Sequence, residues 1–508
     1  MIQLNGLSIF NAADGRRLVD GLSFTLNRGD RTVLIGEEGN GKSTLLKYIY
    51  DPRLVEGRVY ATGSVTRGGH RMGYLAQEAS AEENALSVRE FLGLEEHELW
   101  RAEALCAELD ADPALVRETR PLGTLSGGER VKTRLVKVLL GEPDMLLLDE
   151  PTNDIDIETL EWLEGMINSF DGGVLFVSHD ETLIENTAKA VIHLEHIHHK
   201  KVARSTYAAL PYRRYVEERE RAFAHTAQVA AFEHAEQKKK EERWQKIYEK
   251  VDAAQRGLTR QDPSTGRLLK KKMHSVLSQG RRLERERENL TEAPMAEFQI
   301  LLALPEVSLP PKKELLRLRG ERLLLPDGRA IGGEFDLDVN AAEHIVITGR
   351  NGSGKSTLLK MLYAQLCARR DVNVFYMPQD YFEVLDENDT PISFLAPTGE
   401  KDAVTRARTY LGSVRFTKDE AQSPVSKLSG GQKAKLFFVK MALDGPDVLL
   451  LDEPTRNFSP LSAPVIRELI SSFGGCVIAV SHDRRFISEV GRRIVRMEDL
   501  TGANVHRP

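Results

Sequence analysis

Short apolar runs recur along the chain, and each ends in glycine or polar residues. The runs are Thr32-Val33-Leu34-Ile35, Met145-Leu146-Leu147-Leu148, Val174-Leu175-Phe176-Val177, Ile345-Val346-Ile347 and Val448-Leu449-Leu450-Leu451. Several consecutive apolar residues, many of them β-branched, predict buried strands instead of strands with one wet face. The sequence therefore predicts an α/β fold that occurs twice, once in each half of the chain.

Residues 212–291 follow a different pattern. Apolar side chains return at steps of three and four, as in Trp244, Tyr248 and Val251, and a second arm around Val276 does the same. This spacing predicts helices with one apolar face. Between the arms, Gln261-Asp262-Pro263-Ser264-Thr265-Gly266 has the chemistry of a turn that ends one helix and starts another. We expect a long antiparallel α-helical hairpin that joins the two halves.

Length and composition support this organisation. A chain of 508 residues is too long for one core, and we expect domains at residues 1–208, 209–300 and 301–508. No apolar run is long enough to cross a bilayer, and the first residues lack a secretory pattern. Cys106, Cys367 and Cys476 are few and far apart, which indicates reduced thiols and a cytoplasmic location.

Positive charge is concentrated in the predicted hairpin. Residues 212–291 hold 20 Lys and Arg against 13 Asp and Glu, although the whole chain has a net charge of −6. A basic run is often only a solvated helix face, but here it lies around the turn, which favours a polyanionic partner such as nucleic-acid phosphates. The candidate RNA-binding residues of this tip are Arg256, Arg260, Arg267, Lys270, Lys271 and Lys272.

A phosphate-binding motif follows the first apolar run. Gly36-Glu37-Glu38-Gly39-Asn40-Gly41-Lys42-Ser43-Thr44 fits G-x-x-x-x-G-K-[ST] between a strand and a helix. Its glycines allow backbone N–H groups to point at phosphate oxygens, and the helix N-terminus adds a favourable dipole. We expect Lys42 to reach the β- and γ-phosphates and Ser43 to hold Mg²⁺.

Three further motifs follow in the first half. Asp149 and Glu150 end a buried strand, where Asp149 suits the surroundings of Mg²⁺ and Glu150 suits the general base that polarises an attacking water. Ser126-Gly127-Gly128 opens a predicted helix and forms a second anion cradle. His179 follows another strand.

The second half repeats these motifs in the same order. Glu150 follows Ser126 by 24 residues and Glu453 follows Ser429 by 24, while His179 and His482 each lie 29 residues beyond these glutamates. Agreement of several intervals excludes coincidence. The repeated motifs are Gly349-Arg350-Asn351-Gly352-Ser353-Gly354-Lys355-Ser356-Thr357, Gln379 as the counterpart of Gln77, Ser429-Gly430-Gly431, Asp452-Glu453 and His482.

This series resembles the ATP-binding cassette family: Walker A, a glutamine loop, Leu-Ser-Gly-Gly, Walker B with its glutamate, and a histidine switch. Two cassettes on one chain with a charged helical linker are similar to the F subfamily of ribosome-acting ATPases, and the tip resembles members that protect ribosomes from lincosamide, streptogramin A and pleuromutilin antibiotics. The resemblance implies two P-loop NTPase (ABC) domains joined by the hairpin. It also implies ATP and Mg²⁺ as cofactors, and the ribosome, through rRNA and peptidyl-tRNA, as partner.

The resemblance also implies a role for each motif residue. The ATP-hydrolysing groups would be Glu150, Glu453, His179, His482, Gln77 and Gln379. Ligands of Mg²⁺ would come from Ser43, Gln77, Asp149, Ser356, Gln379 and Asp452. Phe10 would stack on adenine. The rest of ATP would be bound by residues of the two phosphate loops and the Ser-Gly-Gly segments, which are Gly36, Gly39, Asn40, Gly41, Lys42, Ser43, Thr44, Gly349, Gly352, Ser353, Gly354, Lys355, Ser356, Thr357, Ser126, Gly127, Gly128, Ser429, Gly430 and Gly431.

The Ser-Gly-Gly segment of one cassette cannot serve its own phosphate loop, so we expect each segment to face the loop of the other cassette. The chain would then act as a monomer whose cassettes pair with each other, and ATP would close them. Ser459 stands where the first half has Asp156, which predicts unequal turnover at the two sites.

Two alternatives remain at this point. The chain could be the ATPase subunit of an exporter that works with a separate membrane protein, although the basic hairpin would then have no explanation. It could also be a clamp that acts on DNA, in which case salt-sensitive binding to duplex DNA would exceed binding to ribosomes.

Overall fold

The structure is a computed structural model that describes residues 1–109, 111–153, 155–197, 202–256, 263–291, 304–307, 309–325 and 328–502. Contacts between residues divide the chain into two compact units. One comprises Met1–Tyr212 and Glu297–Pro508 and contains both cassettes; the other is Arg213–Ala296, which contains most of the helical linker.

The first cassette alternates strands and helices. Its strands are β1 (Ile2–Asn11), β2 (Arg17–Leu26), β3 (Arg31–Ile35), β4 (Val59–Thr66), β5 (Met72–Leu75), β6 (Met145–Asp149), β7 (Gly173–Val177), β8 (Ala190–Ile197) and β9 (Val202–Ala208). Its helices are α1 (Lys42–Tyr50), α2 (Ala81–Ala85), α3 (Val88–Leu92), α4 (Leu99–Glu108), α5 (Gly127–Leu140), α6 (Ile157–Ser169) and α7 (Glu181–Thr187).

A mostly parallel sheet forms the centre of this cassette. Its strand order is β5-β6-β7-β3-β8-β9, in which β9 alone runs antiparallel to its neighbour, and β2-β1-β4 form a separate antiparallel sheet. Every residue of β3, β6 and β7 is buried, as expected for strands covered on both faces. Asp149 pairs with Val177 at the ends of β6 and β7, so the residues that follow both strands meet at one edge.

The second cassette repeats this arrangement. Its strands are β10 (Glu314–Leu324), β11 (Ala330–Asn340), β12 (His344–Thr348), β13 (Val374–Met377), β14 (Val448–Asp452), β15 (Cys476–Val480) and β16 (Arg493–Arg496). Its helices are α10 (Lys355–Cys367), α11 (Pro391–Leu395), α12 (Lys401–Ser413), α13 (Lys418–Gln422), α14 (Gly430–Asp444), α15 (Ala463–Ser471), α16 (Arg484–Val490) and α17 (Met497–Thr501). The parallel sheet has the order β13-β14-β15-β12-β16, and β10 and β11 pair antiparallel.

The linker consists of two long helices, α8 (Tyr212–Arg256) and α9 (Pro263–Glu288). They pair antiparallel: the Trp244 indole N–H donates to the Val276 carbonyl at 2.7 Å, and the Gln237 amide donates to the Leu283 carbonyl at 2.9 Å. Gly280 lies against the Trp244 ring, where a Cβ atom would come within 2.8 Å of the indole. The helical hairpin expected from the sequence is therefore present.

The fold class predicted from the sequence, two α/β cassettes joined by a helical linker, is confirmed. Arg260 lies outside the described residues. Arg256, Arg267, Lys270, Lys271 and Lys272 are exposed, and Arg256 pairs with Asp252 at 2.7 Å. Among the described residues, no helix combines the length and apolar character that a bilayer crossing requires.

Candidate functional site

The two phosphate loops, residues 36–44 and 349–357, have the same backbone geometry. Their glycines adopt positive φ angles that other residues rarely adopt. The angles are 149°, 80° and 91° for Gly36, Gly39 and Gly41, and 146°, 79° and 93° for Gly349, Gly352 and Gly354. Each loop leads directly into a helix, α1 or α10, whose first residue is the motif lysine. Both loops thus present backbone N–H groups at a helix N-terminus, the arrangement that binds phosphate.

The lysines fold back on their own loops. Lys42 Nζ lies 2.8 Å from the Gly36 carbonyl oxygen, and Lys355 Nζ lies 2.9 Å from that of Gly349. The side-chain amide of Asn40 donates to the Leu194 carbonyl at 2.9 Å. That bond ties the first loop to β8.

The side chains near each lysine fit a divalent cation. Ser43 Oγ donates to Asp149 Oδ1 at 3.0 Å, and Ser356 donates to Asp452. The buried Oδ1 of Asp452 has no hydrogen-bond partner in the part of the chain that the structure describes. Burial raises the pKa of Asp149 to about 6, although the hydrogen bond from Ser43 opposes this rise. Burial also raises the pKa of Asp452. A hydroxyl beside a buried carboxylate supplies the oxygen ligands that Mg²⁺ prefers.

The glutamates after β6 and β14 have strained backbones. Glu150 has a φ of 48° and Glu453 a φ of 51°, values that cost a residue with a Cβ roughly 1–3 kcal/mol. Their N–H groups donate to Val177 and Val480 carbonyls of the neighbouring strands at 3.1 and 2.9 Å. The sheet therefore holds each glutamate in a conformation that it would not adopt alone.

In the first site, Glu150 has three side-chain partners. Gln77 and Asn153 donate to its Oε2 at 3.0 Å each, and His179 Nε2 lies 3.1 Å from its Oε1. Burial alone would raise the pKa of Glu150, but the charges of His179 and Lys42 outweigh it and hold the pKa at about 2. Glu150 is ionised over the physiological range.

His179 also contacts the second cassette. Its Nδ1 lies 2.7 Å from the Phe458 carbonyl oxygen, which can only accept, so Nδ1 carries a proton. The other ring nitrogen, Nε2, is the atom that lies beside Glu150. This ring therefore links the hydrolytic residues of one cassette to the backbone of the other.

The second site has a different protonation state. His482 Nε2 lies 3.9 Å from Glu453 Oε1, beyond hydrogen-bond distance, and among the described residues neither Glu453 Oε1 nor His482 Nδ1, both buried, has a hydrogen-bond partner. Burial and the neighbouring Asp452 raise the pKa of Glu453 to about 8. Burial and the Lys355 ammonium lower the pKa of His482 to about 4. At neutral pH both side chains are mainly uncharged.

The Ser-Gly-Gly segments open α5 and α14. Ser126 and Ser429 cap these helices through their hydroxyls, which accept the backbone N–H groups of Glu129 and Gln432. At the first site the Gly431 N–H donates to Glu38 Oε2 at 2.5 Å. The first phosphate loop thus contacts the Ser-Gly-Gly helix of the second cassette, as expected from the sequence.

A second contact supports the same pairing. Lys435 Nζ, one turn along α14, lies 3.3 Å from Glu37 Oε1. The second loop has Arg350 and Asn351 in place of these acids, and Arg350 pairs with Glu158 of the first cassette at 3.3 Å. Sequence reasoning missed Glu37 and Glu38 as contact residues. Alignment of the two loops with each other would have revealed their unusual charge.

Two cavities contain most of the predicted residues. The first has a volume of about 1090 Å³. The predicted residues that line it are Gly39, Gly41, Lys42, Ser43, Thr44, Gln77, Glu150, His179, Gly430 and, from the second cassette's own site, Ser356, Gln379 and Asp452. The second, about 510 Å³, is lined by Gly352, Gly354, Lys355, Ser356, Thr357, Gln379, Asp452, Glu453, His482 and Gly127. Each cavity joins a phosphate loop of one cassette to the Ser-Gly-Gly helix of the other, and each is large enough for a nucleotide.

The other predicted residues do not line either cavity. These are Gly36, Asn40, Asp149, Gly349, Ser353, Ser126, Gly128, Ser429, Gly431 and Phe10. Phe10 stacks on Tyr60 with ring centroids 4.8 Å apart, and the Arg17 guanidinium lies 5.1 Å from the Phe10 ring. Close to Phe10 in sequence, Asn11, Arg16 and Leu18 do line the first cavity.

The loops after the glutamates differ as the sequence indicated. Asp156 caps α6 through the Thr159 N–H at 3.0 Å, and its charge acts on Lys355 and His482 of the second site. The corresponding Ser459 is buried, with its Oγ 2.8 Å from that of Ser462. The second site therefore receives a negative charge from across the interface that Ser459 does not supply to the first.

Comparison with known families agrees with this geometry. The ABC transporter family matches residues 19–153 and 333–456, which together make up just over half of the chain. These segments include both phosphate loops, both Ser-Gly-Gly helices and both strand-end glutamates. The chain is accordingly an ATP-binding protein and an ATPase.

Proteins of known sequence resemble this chain over almost its whole length. The ATP-binding protein Uup of Escherichia coli (strain K12) is 29% identical over 92% of this chain and 76% of its own length. The ABC transporter F family member 5 of Arabidopsis thaliana is 26% identical over 96% of this chain and 73% of its own length.

Solved structures show the same fold at low sequence identity. The crystal structure of the complex of archaeal ribosomal stalk protein aP1 and archaeal ribosome recycling factor aABCE1 aligns with a TM-score of 0.57 and 17% identity, covering 97% of this chain and 87% of that one. Together, the paired phosphate loops, the crossed Ser-Gly-Gly helices and the matched family segments show that this chain belongs to the ABC transporter family, as an ABC-F-type ATPase with two cassettes on one polypeptide.

Proposed function

We propose that this ATPase binds the ribosome in the cytoplasm and acts on translation, displacing antibiotics from the peptidyl-transferase region with the tip of its helical linker. The observation that carries the proposal is the run Lys270, Lys271 and Lys272 on α9, which is exposed and lies close in sequence to exposed Arg267. An exposed basic cluster of this kind binds polyanions, and ribosomal RNA and peptidyl-tRNA offer phosphates at high density.

ATP binding supplies the conformational step. The triphosphate offers charge both to a phosphate loop and to the Ser-Gly-Gly helix across the interface, so it stabilises the closed pairing of cassettes over the open one. Lys42 and Lys355 leave the carbonyls of their own loops to bind phosphate oxygens. Mg²⁺ beside Ser43 and Asp149, and beside Ser356 and Asp452, supplies positive charge to the phosphates when bound.

Hydrolysis then reopens the cassettes. Glu150 and Glu453 each accept a hydrogen bond from the attacking water and orient it towards the terminal phosphate. Gln77 and His179 hold Glu150 in place in the first site. Because loss of the terminal phosphate removes the charge that the two cassettes share, the closed state loses its stabilisation.

Relatives support the ribosome as the partner. One structurally similar protein is described as an archaeal ribosome recycling factor, and another structure is described as ribosome-bound archaeal Pelota and ABCE1. Our proposal extends that association to this chain on the strength of the exposed basic run. Protection from antibiotics rests on the resemblance of the tip sequence alone.

The decisive experiment combines a trapped closed state with tip variants. Glu150→Gln with Glu453→Gln should bind ATP without hydrolysing it, so the double variant should sediment with ribosomes when ATP is present. Adding Lys270→Glu, Lys271→Glu and Lys272→Glu should abolish this sedimentation. The matched control is Lys238→Glu, Lys239→Glu and Lys246→Glu, which removes the same charge from α8 and should leave sedimentation largely intact.

Growth with lincosamide, pleuromutilin or macrolide drugs tests the antibiotic step. Expression of the unaltered chain should raise the inhibitory concentration of at least one drug, and the tip variant should not. If the trapped variant did not sediment with ribosomes in ATP, the ribosome proposal would be contradicted; if the tip substitutions left its sedimentation unchanged, the role of the tip would be. Normal ribosome binding without drug protection would remove only the antibiotic step.

A further inference from the structure

Four charged side chains connect the cassettes through α6, α7, α15 and α16. Arg467 makes a two-pronged contact with Glu181, with Nη1 to Oε1 at 2.7 Å and Nη2 to Oε2 at 3.1 Å. Arg484 contacts Glu164 Oε2 through both Nη atoms at 3.2 Å. These four residues, the interface quartet, are not among the residues that line the two nucleotide cavities.

The quartet occupies equivalent positions in the two cassettes. Glu164 follows Glu150 by 14 residues, as Arg467 follows Glu453, and Glu181 follows His179 by two, as Arg484 follows His482. The first cassette therefore has two acids where the second has two arginines. Each contact joins an acid of the first cassette to the arginine that corresponds to the other acid.

This arrangement has a consequence for pairing between molecules. If two first cassettes paired in the same geometry, Glu164 of each would face Glu181 of the other, and four carboxylates would meet. If two second cassettes paired, four guanidinium groups would meet. Like charges placed close together in an interface repel each other strongly, so the pairing of a first cassette with a second is the combination that the charges favour.

Neighbouring side chains hold the quartet in position. The Asn186 amide donates to Glu164 at 2.7 Å, and at the equivalent place Glu489 accepts from Arg467 Nε at 2.7 Å. Arg467 is only 3% exposed and Glu181 8%, and Asp483 lies 3.9 Å from Arg467. A buried charge that loses its partner is strongly destabilising. A mismatched pairing would leave Arg467 and Glu181 buried without opposite charges, so it would be unfavourable.

Further pairs add to this polarity. Arg484 also contacts Asp180 at 2.9 Å, and Arg485 contacts Glu185. In both of these the first cassette again supplies the acid and the second the arginine. Each of these charged contacts between the cassettes therefore joins an acid of the first cassette to an arginine of the second.

We propose that the interface quartet is a pairing code that commits each first cassette to a second cassette and prevents two copies of the chain from joining through like cassettes. The covalent linker then makes the partner cassette of the same chain the favoured one, because it is present at a high effective concentration. The chain acts as a self-contained clamp for this reason, independently of what the linker binds.

A charge exchange tests the code without changing composition or net charge. Glu181→Arg with Arg484→Glu leaves each cassette with one acid and one arginine, so that like cassettes become complementary and unlike ones repel. In ATP, with Glu150→Gln and Glu453→Gln present, this exchange variant should double its mass in light scattering. The ATP concentration for intramolecular closure, read by energy transfer between dyes on the two cassettes, should rise at least tenfold.

A full-swap variant is the control. It exchanges the whole quartet and its supports, with Glu164→Arg, Glu181→Arg, Arg467→Glu, Arg484→Glu, Asn186→Glu and Glu489→Asn, and it should recover monomeric closure. An exchange variant that stays monomeric and closes at the original ATP concentration would overturn the proposal. Should the exchange variant be insoluble, the full-swap variant decides alone: recovered closure supports the code, and a folded chain that fails to close refutes it.

Discussion

The glutamates after β6 and β14 have the same local sequence but different pKa values. Both follow an aspartate, both have a positive φ, and both precede a proline and a threonine. His179 nevertheless lies within hydrogen-bond distance of Glu150, whereas His482 stands 3.9 Å from Glu453. That difference, together with burial, separates pKa values of about 2 and about 8.

This separation predicts different pH profiles for the two sites. A general base works only when deprotonated, so the second site should gain activity as pH rises towards about 8, the pKa of Glu453. In Glu150→Gln, which leaves the second site active, kcat/KM for ATP should rise roughly tenfold per pH unit from 6 to 7.5 and level off above 8.5. The profile should be measured at constant MgATP.

The reciprocal variant provides the comparison. In Glu453→Gln the first site remains, and Glu150 with a pKa of about 2 stays ionised throughout this range. Its kcat/KM should therefore lack the rise between pH 6 and 8. Identical profiles for the two variants would show that the base of the second site does not titrate near 8.

Glu38 offers a second prediction for a single residue. Its carboxylate accepts from Gly431 at 2.5 Å, an N–H group of the helix terminus that we expect to bind the terminal phosphate. Glu38→Asn, which copies Asn351 of the second loop, should tighten ATP binding at the first site roughly three- to tenfold, because a repulsion on the order of 1 kcal/mol after screening is removed. Calorimetric titration of the hydrolysis-deficient double variant measures this affinity.

The opposite change should have the opposite effect. Asn351→Glu places a carboxylate in the second loop and should weaken ATP binding there by a similar factor. If Glu38→Asn instead weakened binding at the first site, the carboxylate would be stabilising the closed interface more than it competes with phosphate.

Single residues also show where sequence reasoning succeeds. The roles expected of Ser43, Asp149 and Glu150 come from motifs whose backbone geometry follows the motif itself, and the structure brings these residues together at one sheet edge. The contacts of Glu38 with Gly431 and of His179 with Phe458 join residues 393 and 279 positions apart. Such contacts depend on how two folded cassettes dock, which no local pattern records.

At the scale of elements, the linker helices depend on a close approach between α8 and α9. Gly280 allows the Trp244 indole to lie against the backbone of α9. The indole N–H donates to the carbonyl of Val276, which precedes Gly280 by four residues in α9. The apolar stripe expected from the sequence is only partly buried: Ala230 and Val276 are covered, whereas Phe232 is 67% exposed. Periodicity predicts a helix well, but it does not identify which apolar residues meet a partner.

A pair of glycine substitutions tests this packing. Gly280→Ala should destabilise the hairpin by about 1 kcal/mol, because overpacking against Trp244 exceeds the gain in helix propensity. Gly165→Ala in α6 is the matched control, since a Cβ there would meet nothing within 4 Å, and it should stabilise its helix by about 0.5–1 kcal/mol. Hydrogen exchange of the two helices measures both effects, and faster exchange near Gly165 would contradict the argument.

The α/β elements were more predictable than the linker contacts. The buried strands β3, β6, β7 and β14 coincide with continuous apolar runs, because strands covered on both faces have no polar positions to alternate. The strands of the separate antiparallel sheet, β1, β2 and β4, have mixed patterns, and their pairing could not be derived in this way. Their order follows from tertiary packing.

At the scale of the whole molecule, the cassettes and the linker carry net charges of opposite sign. The cassettes carry the acidic excess of the chain, and residues 212–291 carry a basic one. In the interface quartet, both acids belong to the first cassette and both arginines to the second. We infer that one charge pattern directs the cassettes to each other and another directs the linker to an external polyanion.

The second pattern predicts a salt dependence of ribosome binding. Each lysine that neutralises a phosphate releases condensed counterions, so log K falls with log[salt] by roughly one unit of slope per contact. Lys270→Ala, Lys271→Ala and Lys272→Ala together should reduce the slope by roughly three, whereas Lys238→Ala, Lys239→Ala and Lys246→Ala should change it little. Binding of the ATP-trapped variants, measured between 50 and about 300 mM salt, separates a tip that touches RNA from one that carries charge only for solubility, since in the second case both triple variants would give the same slope.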